Sequence, residues 1–214
     1  MIKFPDSTIV NKVVPKTAFY KHLEVNATIK NHFINDVERL VWAYKFATST
    51  LNVADGKAVH EITVFNVTLK KKECPTDIFV FIDKNLPRHT AFLLSFEDEM
   101  CILINFKEAV QGNTSTPFKV TKTYKSQWYK AEDITIMIEG TSLDLIYENI
   151  IRQVAGSNIS QTTGSLKADI TFSKEQESLR NAINALKKRI ALERQPQKKF
   201  MLHKELKELE NQIK

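Results

Sequence analysis

The sequence predicts an α+β fold, with a mainly antiparallel sheet and packed helices followed by a C-terminal helical (coiled-coil) hairpin. Three observations support this prediction. Alternating or wholly apolar stretches of strand length recur between about residues 40 and 138, with helical patterns before and after them. Small and polar residues then fill 156–165, and leucine and isoleucine recur at helical spacing to the end. We therefore expect an α+β globular domain over 1–155, a polar linker over 156–172, and a helical hairpin over 173–214 with a break near Pro196.

Two helices are expected before the sheet. Pro15 stands where the first would begin, because proline suits the first position of a helix. Asn26 can cap the second through its side-chain oxygen. Three apolar residues of the second helix then fall on one side: Ile29, Phe33 and Ile34.

The sheet is predicted from period-two alternation and from apolar runs. The expected strands cover about residues 40–46, 59–69, 91–96, 100–106, 118–128 and 134–138. Pro75 could open a short helix that ends near Pro87. The runs 91–96 and 100–106 are apolar on both faces, which indicates a β-hairpin at the centre of the sheet. Residues 111–117 are expected to form a disordered connector.

A further helix follows Gly140. Thr141 or Ser142 can cap it, apolar residues recur through it at helical spacing, and Gly156 can end it. Together these elements place helices on a mainly antiparallel sheet.

The C-terminal residues predict two helices. Ser173 and Gln176 have the spacing of a capping box. Two apolar series follow, Leu179, Ile183, Leu186 and Ile190, then Leu202, Leu206, Leu209 and Ile213. A proline inside a single helix would cost about 3 kcal/mol, so two helices joined near Pro196 are favoured over one straight helix. The two could pair with each other or with another chain.

Positive charge is concentrated in this C-terminal part. The formal net charge is +6, and Lys174–Lys214 contains eleven basic residues against six glutamates. Six cations surround a single glutamate between residues 187 and 199: Lys187, Lys188, Arg189, Arg194, Lys198 and Lys199. Such a concentration attracts phosphate backbones or acidic protein surfaces. We expect these six residues to contact nucleic acid or a partner, with solvation of the helix end as the alternative.

No catalytic constellation is evident in the sequence. The histidines are scattered, at His22, His32, His60, His89 and His203, and no zincin, nucleophile-elbow or Walker pattern is present. Cys74 and Cys101 cannot form a four-cysteine zinc site. We therefore predict no catalytic residues, no metal and no cofactor.

A divergent metal-dependent nuclease is the enzymatic alternative. Its acidic residues would be Glu61, Asp83 or the turn Glu97–Glu99. The acidic residue two positions before a strand lysine, which restriction-type nucleases use, is not found on any predicted strand.

Residues 118–130 offer a second basic surface. Lysines alternate there with aromatic residues: Lys119, Lys122, Lys125 and Lys130 with Tyr124, Trp128 and Tyr129. Such a mixture can bind single-stranded nucleic acid. Tyr124 and Trp128 share strand parity with Phe118 and Val120, so core contacts are the favoured interpretation.

Short stretches in order along residues 1–156 match a known family. They are Pro5-Asp6-Ser7-Thr8, Val10-Asn11-Lys12, Pro15-Lys16, Phe19-Tyr20, Trp42, Lys45, Leu51-Asn52, Glu61-Ile62, Phe65, Ile82-Asp83, Pro87, Tyr124, Trp128, Gly140, Tyr147-Glu148-Asn149 and Arg152-Gln153. In these residues the chain resembles the bacterial family 4391 of domains of unknown function. The resemblance implies a charged helical tail and a role beside helicases and DNA methyltransferases in prokaryotic defence or restriction-modification systems. It defines no catalytic residues.

We therefore expect a non-enzymatic accessory protein of a DNA-acting system. Its partner would be a larger protein, a helicase or methyltransferase, and its tail would contact nucleic acid or form a homo-oligomer. No membrane association is expected, because no apolar run reaches the length of a membrane span, and the expected location is the cytoplasm. A purely structural protein-interaction module is the remaining alternative.

Overall fold

The computed structural model describes residues 2–22, 25–110, 118–159 and 164–213. Contacts divide the chain into two compact units, Met1–Gly156 and Ser157–Lys214, called here the sheet unit and the hairpin unit. The connector predicted over 111–117 lies outside the described residues, as do 160–163 of the predicted linker. Among the described residues, no helix combines the length and the apolar character that crossing a membrane would need.

The described part of the sheet unit contains a mixed, mostly antiparallel sheet. Its strands are β1 (Ile9–Val13), β2 (Val37–Phe46), β3 (Ile62–Leu69), β4 (His89–Phe96), β5 (Glu99–Ala109), β6 (Phe118–Lys125) and β7 (Tyr129–Lys130). They are ordered β1-β2-β3-β4-β5-β6, and β7 pairs with β5. β3 and β4 run parallel, and the other strand pairs are antiparallel. The predicted α+β class with a mainly antiparallel sheet is confirmed.

Five α-helices accompany this sheet in the described residues. They are α1 (Lys16–His22), α2 (Ala27–Asn35), α3 (Thr48–Leu51), α4 (Asp77–Asn85) and α5 (Leu143–Ala155). Asn26 caps α2 as predicted, because its Oδ1 accepts a hydrogen bond from the Ile29 N–H at 2.8 Å. Ser142 caps α5, and Gly156 ends that helix with a φ of 52°. Ile34 was predicted to share the apolar side of α2 but is exposed.

The β4–β5 hairpin lies at the centre of the sheet, as its apolar sequence predicted. Phe92 packs against Phe79 of α4, with ring centroids 5.0 Å apart. Cys101 and Leu103 belong to the same core, whereas the alternate residues Ile102 and Ile104 are buried outside it. Both faces of β5 are therefore covered, and α5 is among the helices that contact this strand.

One predicted strand is absent from the sheet, and one observed strand was not predicted. Residues 134–138 form no strand. The side-chain amide of Gln153 instead binds this segment, accepting from the Met137 N–H at 2.8 Å and donating to the Met137 carbonyl at 2.9 Å. These bonds satisfy the N–H and the carbonyl of Met137 without a neighbouring strand. β1 was not predicted, because most of its residues are exposed and Asn11 has a φ of 49°.

The hairpin unit contains two helices that pack against each other, α6 (Leu166–Leu192) and α7 (Pro196–Glu210). The predicted break at Pro196 is confirmed, with proline at the first turn of α7. The predicted start at Ser173 is wrong, because α6 begins seven residues earlier. Leu166 and Ile170 are buried and continue the apolar pattern toward the N-terminus. Thus residues 166–172, predicted as linker, are helical.

Candidate functional site

The six predicted cations lie around the turn between α6 and α7. Lys187, Lys188 and Arg189 are in the last turns of α6, Arg194 is in the turn, and Lys198 and Lys199 are in the first turn of α7. A connection of three residues joins the helices, so both groups lie at the same end of the hairpin. We call residues 187–201 the hairpin tip.

Only one of these six cations is paired with a carboxylate among the described residues of the hairpin unit. The Nζ of Lys187 lies 2.9 Å from a carboxylate oxygen of Glu210. The side chain of Glu193, the single acidic residue of the tip, accepts a hydrogen bond from the Gln195 N–H at 2.8 Å. The remaining cations are exposed: Lys188, Arg189, Arg194, Lys198 and Lys199. Their charge is free to attract an anionic surface.

Three large apolar side chains at the tip are also exposed, and our sequence analysis did not single them out. Leu192 is 81% exposed, Phe200 71% and Met201 63%. Phe200 and Met201 line a shallow depression of about 510 Å³ with Pro196 and Gln197. A sequence signal for Phe200 exists, since it falls outside the spacing of the apolar series that begins at Leu202.

A second depression, of about 390 Å³, lies beside the first. Its lining consists of Arg189, Glu193, Gln197, Lys198, Met201, Leu202 and Glu205. Gln197 and Met201 line both depressions, so apolar and cationic surfaces adjoin at the tip. This arrangement offers sites for both a flat apolar group and an anion.

The sheet unit contains a buried charged cluster that the sequence analysis did not predict. The Lys107 Nζ on β5 lies 2.6 Å from the Asp83 carboxylate at the end of α4, and both side chains are fully buried. Lys107 also donates to the carbonyls of Asp83 at 2.7 Å and of Arg88 at 2.6 Å. Asn105 donates to the Asp83 carboxylate at 2.9 Å.

Burial shifts the pKa values of this cluster toward the neutral forms. Desolvation raises the pKa of Asp83 and lowers that of Lys107, although each charge favours the other. Burial, followed by the Lys107 charge, lowers the pKa of the nearby His89 to about 3. The Tyr147 hydroxyl donates to the Asn105 carbonyl. The cluster ties α4, β5 and α5 together and exposes no acidic group to solvent.

The structure does not bring the acidic residues of the nuclease alternative into one ligand set. Asp83 is engaged by Lys107 and Asn105, while Glu61 pairs with Lys45 at 3.0 Å and with Arg88 at 3.2 Å. Glu99 pairs with Lys72. Within the described residues, no three His, Cys, Asp or Glu side chains are placed to share a metal ion. An amide, Asn105, also stands two positions before Lys107, where restriction-type nucleases carry a carboxylate.

The second basic surface, around β6, is partly neutralised. Tyr124 is buried, in line with the favoured core interpretation. Trp128 is half-buried, and the ammonium groups of Lys72 and Lys125 lie 5.6 and 5.3 Å from its ring centroid. These residues line a groove of about 690 Å³ with Lys71. Lys71 pairs with Asp36 at 2.8 Å and Lys72 pairs with Glu99, so two of the three lysines that line the groove are paired with carboxylates.

Both cysteine thiols are buried. Burial raises the pKa of Cys74 and that of Cys101 to about 12 each. A thiol reacts as the thiolate, which these environments disfavour.

Comparisons with known proteins give one match. The family model described as a domain of unknown function, DUF4391, matches residues 2–213. No curated protein matches the chain. No solved structure matches it either.

Proposed function

Because the chain belongs to the DUF4391 family, whose description assigns no activity, we propose its function from the distribution of charge over its two units. We propose a non-enzymatic accessory protein of a prokaryotic DNA-acting system, which contacts nucleic acid through the hairpin tip. It would act in the cytoplasm beside a larger partner, a helicase or DNA methyltransferase of a defence or restriction-modification system. The sheet unit would dock on that partner.

One observation carries this proposal: five exposed cations of the tip have no carboxylate partner among the described residues of the hairpin unit. Lys198 and Lys199 moreover lie in the first turn of α7, where the helix dipole disfavours cations by about 0.3–1 kcal/mol each. Folding alone gives no reason to keep cations there, whereas binding of phosphates does. The tip is therefore the strongest candidate for nucleic-acid contact.

Titration of a labelled DNA duplex at several salt concentrations tests this proposal. We expect affinity to fall steeply with salt, because binding through several cations releases counterions. Reversal of Lys188, Lys198 and Lys199 to glutamate should weaken binding and reduce the slope of log affinity against log salt by about three. The same reversal at the exposed lysines Lys3, Lys12 and Lys57 changes net charge equally and should have a much smaller effect. Equal losses in the two triple variants would reject the tip as the contact.

The nuclease alternative makes a different prediction. It requires cleavage of DNA with Mg²⁺ or Mn²⁺ that is lost on replacing Glu61, Asp83 or residues 97–99 by alanine. The structure favours it less, because Asp83 is fully buried against Lys107.

The third possibility is a purely structural module whose tip meets an acidic protein. Co-purification of the tagged protein from its native cell, with and without nuclease treatment, distinguishes a nucleic-acid contact from a contact with an acidic protein. Loss of the partner on nuclease treatment supports a nucleic-acid contact, and retention supports the protein contact.

A further inference from the structure

We propose that the hairpin tip binds single-stranded nucleic acid, with the ring of Phe200 stacking on an unpaired base. This inference rests on the proposed function and specifies the ligand of the same site. Neutralisation of phosphates by the cations does not explain why aromatic and aliphatic side chains are exposed among them.

Phe200 lies on the outer face of α7. Leu202, Leu206 and Leu209 form the half-buried series of this helix, and Phe200 falls on the opposite side at 3.6 residues per turn. Its neighbours one turn further along are His203 and Lys204, which are exposed. The ring, 71% exposed, thus adjoins a cation on its own face of the helix.

The depressions at the tip match the parts of a nucleotide. The one beside Phe200 is bounded by Pro196, Gln197 and Met201 and presents a mainly apolar surface to a base. Arg189 and Lys198 line the adjoining depression and could neutralise a phosphate, although Glu193 and Glu205 also line it. Lys204, one turn from Phe200, could hold the next phosphate, about 5.4 Å along the helix axis.

A single strand fits this surface better than a duplex. Paired bases are already stacked on their neighbours, so a duplex would engage the cations and leave Phe200 in water. A single strand offers free base faces, and an aromatic ring beside cations is the usual means of binding them. Exposed apolar groups among cations therefore favour unpaired bases.

Fluorescence anisotropy with a labelled oligothymidylate, and with a blunt duplex of equal phosphate count, tests this inference on the full chain. Phe200→Ala and Phe200→Leu should each weaken binding of the oligothymidylate by about 5- to 100-fold, while binding of the duplex stays within about twofold. Phe200→Trp should keep the single-strand affinity, because it keeps a stacking surface. Met137→Ala is the control, since it removes an exposed apolar side chain, 59% exposed, that lies outside the tip, and it should leave oligothymidylate affinity unchanged.

The outcomes separate this inference from the proposed function. If Phe200→Ala weakens oligothymidylate binding no more than Met137→Ala, while the lysine reversals abolish it, the stacking role is wrong and the nucleic-acid contact stands. Absence of binding to either oligonucleotide rejects both. Labelled polyglutamate binding as tightly as oligothymidylate would instead identify an acidic protein as the ligand. If sedimentation shows a dimer and Phe200→Ala dissociates it, the ring lies in a homo-oligomeric contact and the inference is wrong.

Discussion

The sheet unit and the hairpin tip differ in how their charged side chains are paired. In the sheet unit, two buried carboxylates form ion pairs: Asp83 with Lys107 at 2.6 Å and Asp36 with Lys71 at 2.8 Å. At the tip, Lys187 alone among six cations is paired with a carboxylate among the described residues of its unit. Exposed lysines such as Lys3, Lys12 and Lys57 also occur in the sheet unit. The tip is therefore distinguished by the close grouping, within residues 188–199, of five exposed cations that have no carboxylate partner among the described residues of their unit.

The largest effect on stability is expected at the buried Asp83–Lys107 pair of the sheet unit. Lys107→Met removes the ammonium group from Asp83 and leaves a carboxylate buried without its counter-charge. We expect the free energy of unfolding to fall by about 3–5 kcal/mol, measured by urea denaturation. Lys188→Met at the tip is the control and should change stability by less than about 0.5 kcal/mol. Similar losses for the two variants would contradict the distinction.

A smaller effect is expected at Asp144, which binds three backbone N–H groups of the loop before β3. It accepts from Lys57 at 2.6 Å, from Ala58 at 3.2 Å and from Val59 at 2.8 Å. Asp144→Asn should cost about 1–3 kcal/mol at neutral pH, since these donors lose a charged acceptor. The exposed Asp98→Asn in the β4–β5 turn is the control and should be nearly neutral.

The pH dependence of Asp144 follows from its environment. Desolvation would raise its pKa, but the hydrogen bonds from Lys57, Val59 and Ala58 outweigh it and lower the pKa. Because the folded-state pKa lies below the ordinary value of about 3.9, its stabilisation is complete above that value and is lost as pH falls through the folded-state pKa. Urea denaturation below about pH 4 should therefore show a shallower decline for Asp144→Asn than for the wild type. Parallel declines would contradict this account.

Neutralising the tip should affect stability less than either change in the sheet unit. Replacement of Lys188, Lys198 and Lys199 by glutamine should leave the free energy of unfolding within about 1 kcal/mol, because all three are exposed. The same urea denaturation measures stability, and duplex binding is measured in parallel. A large loss of stability without loss of binding would assign these lysines a structural role.

The smallest effect is expected from the ion pair between Lys187 of the tip and Glu210. Glu210→Gln should change stability by less than about 1 kcal/mol, since the partners are about half exposed. It also releases Lys187, so nucleic-acid affinity and its salt slope should rise, the slope by up to about one. Glu208→Gln removes the same charge without freeing a lysine and is the matched control. Equal gains in both variants would show that net charge, not Lys187, is responsible.

Local signals predicted those parts of the fold whose residues act on their neighbours in sequence. Asn26 and Ser142 cap helices through contacts within a turn, and residues 91–94 and 100–104 of the β4–β5 hairpin are all apolar. The alternation of residues 134–138 predicted a strand that is absent, and the side chain of Gln153 instead binds the backbone of Met137. Alternation reports side-chain burial and does not identify a backbone partner.

The position of the candidate site could be predicted from the sequence, but the ion pairs of its residues could not. Pro196 fixed the bend, so the cations on either side could be expected at one end. The pairing of Lys187 with Glu210 depends on how α7 lies along α6, which spacing alone does not specify. The Asp83–Lys107 pair depends on the docking of α4 on β5 and had no local signal.

The positions of the two tryptophans separate the units spectroscopically. Trp42, whose indole N–H donates to the Tyr44 carbonyl at 3.0 Å, and Trp128, beside Lys72 and Lys125, both belong to the sheet unit. The chain has no other tryptophan, so intrinsic emission reports on the sheet unit alone, whereas far-ultraviolet ellipticity also follows the long helices of the hairpin unit. A thermal scan recorded by both signals will therefore show whether the units melt together. Quenching of the emission by an added oligonucleotide would mark contact at the sheet, and unchanged emission with binding would point to the tip.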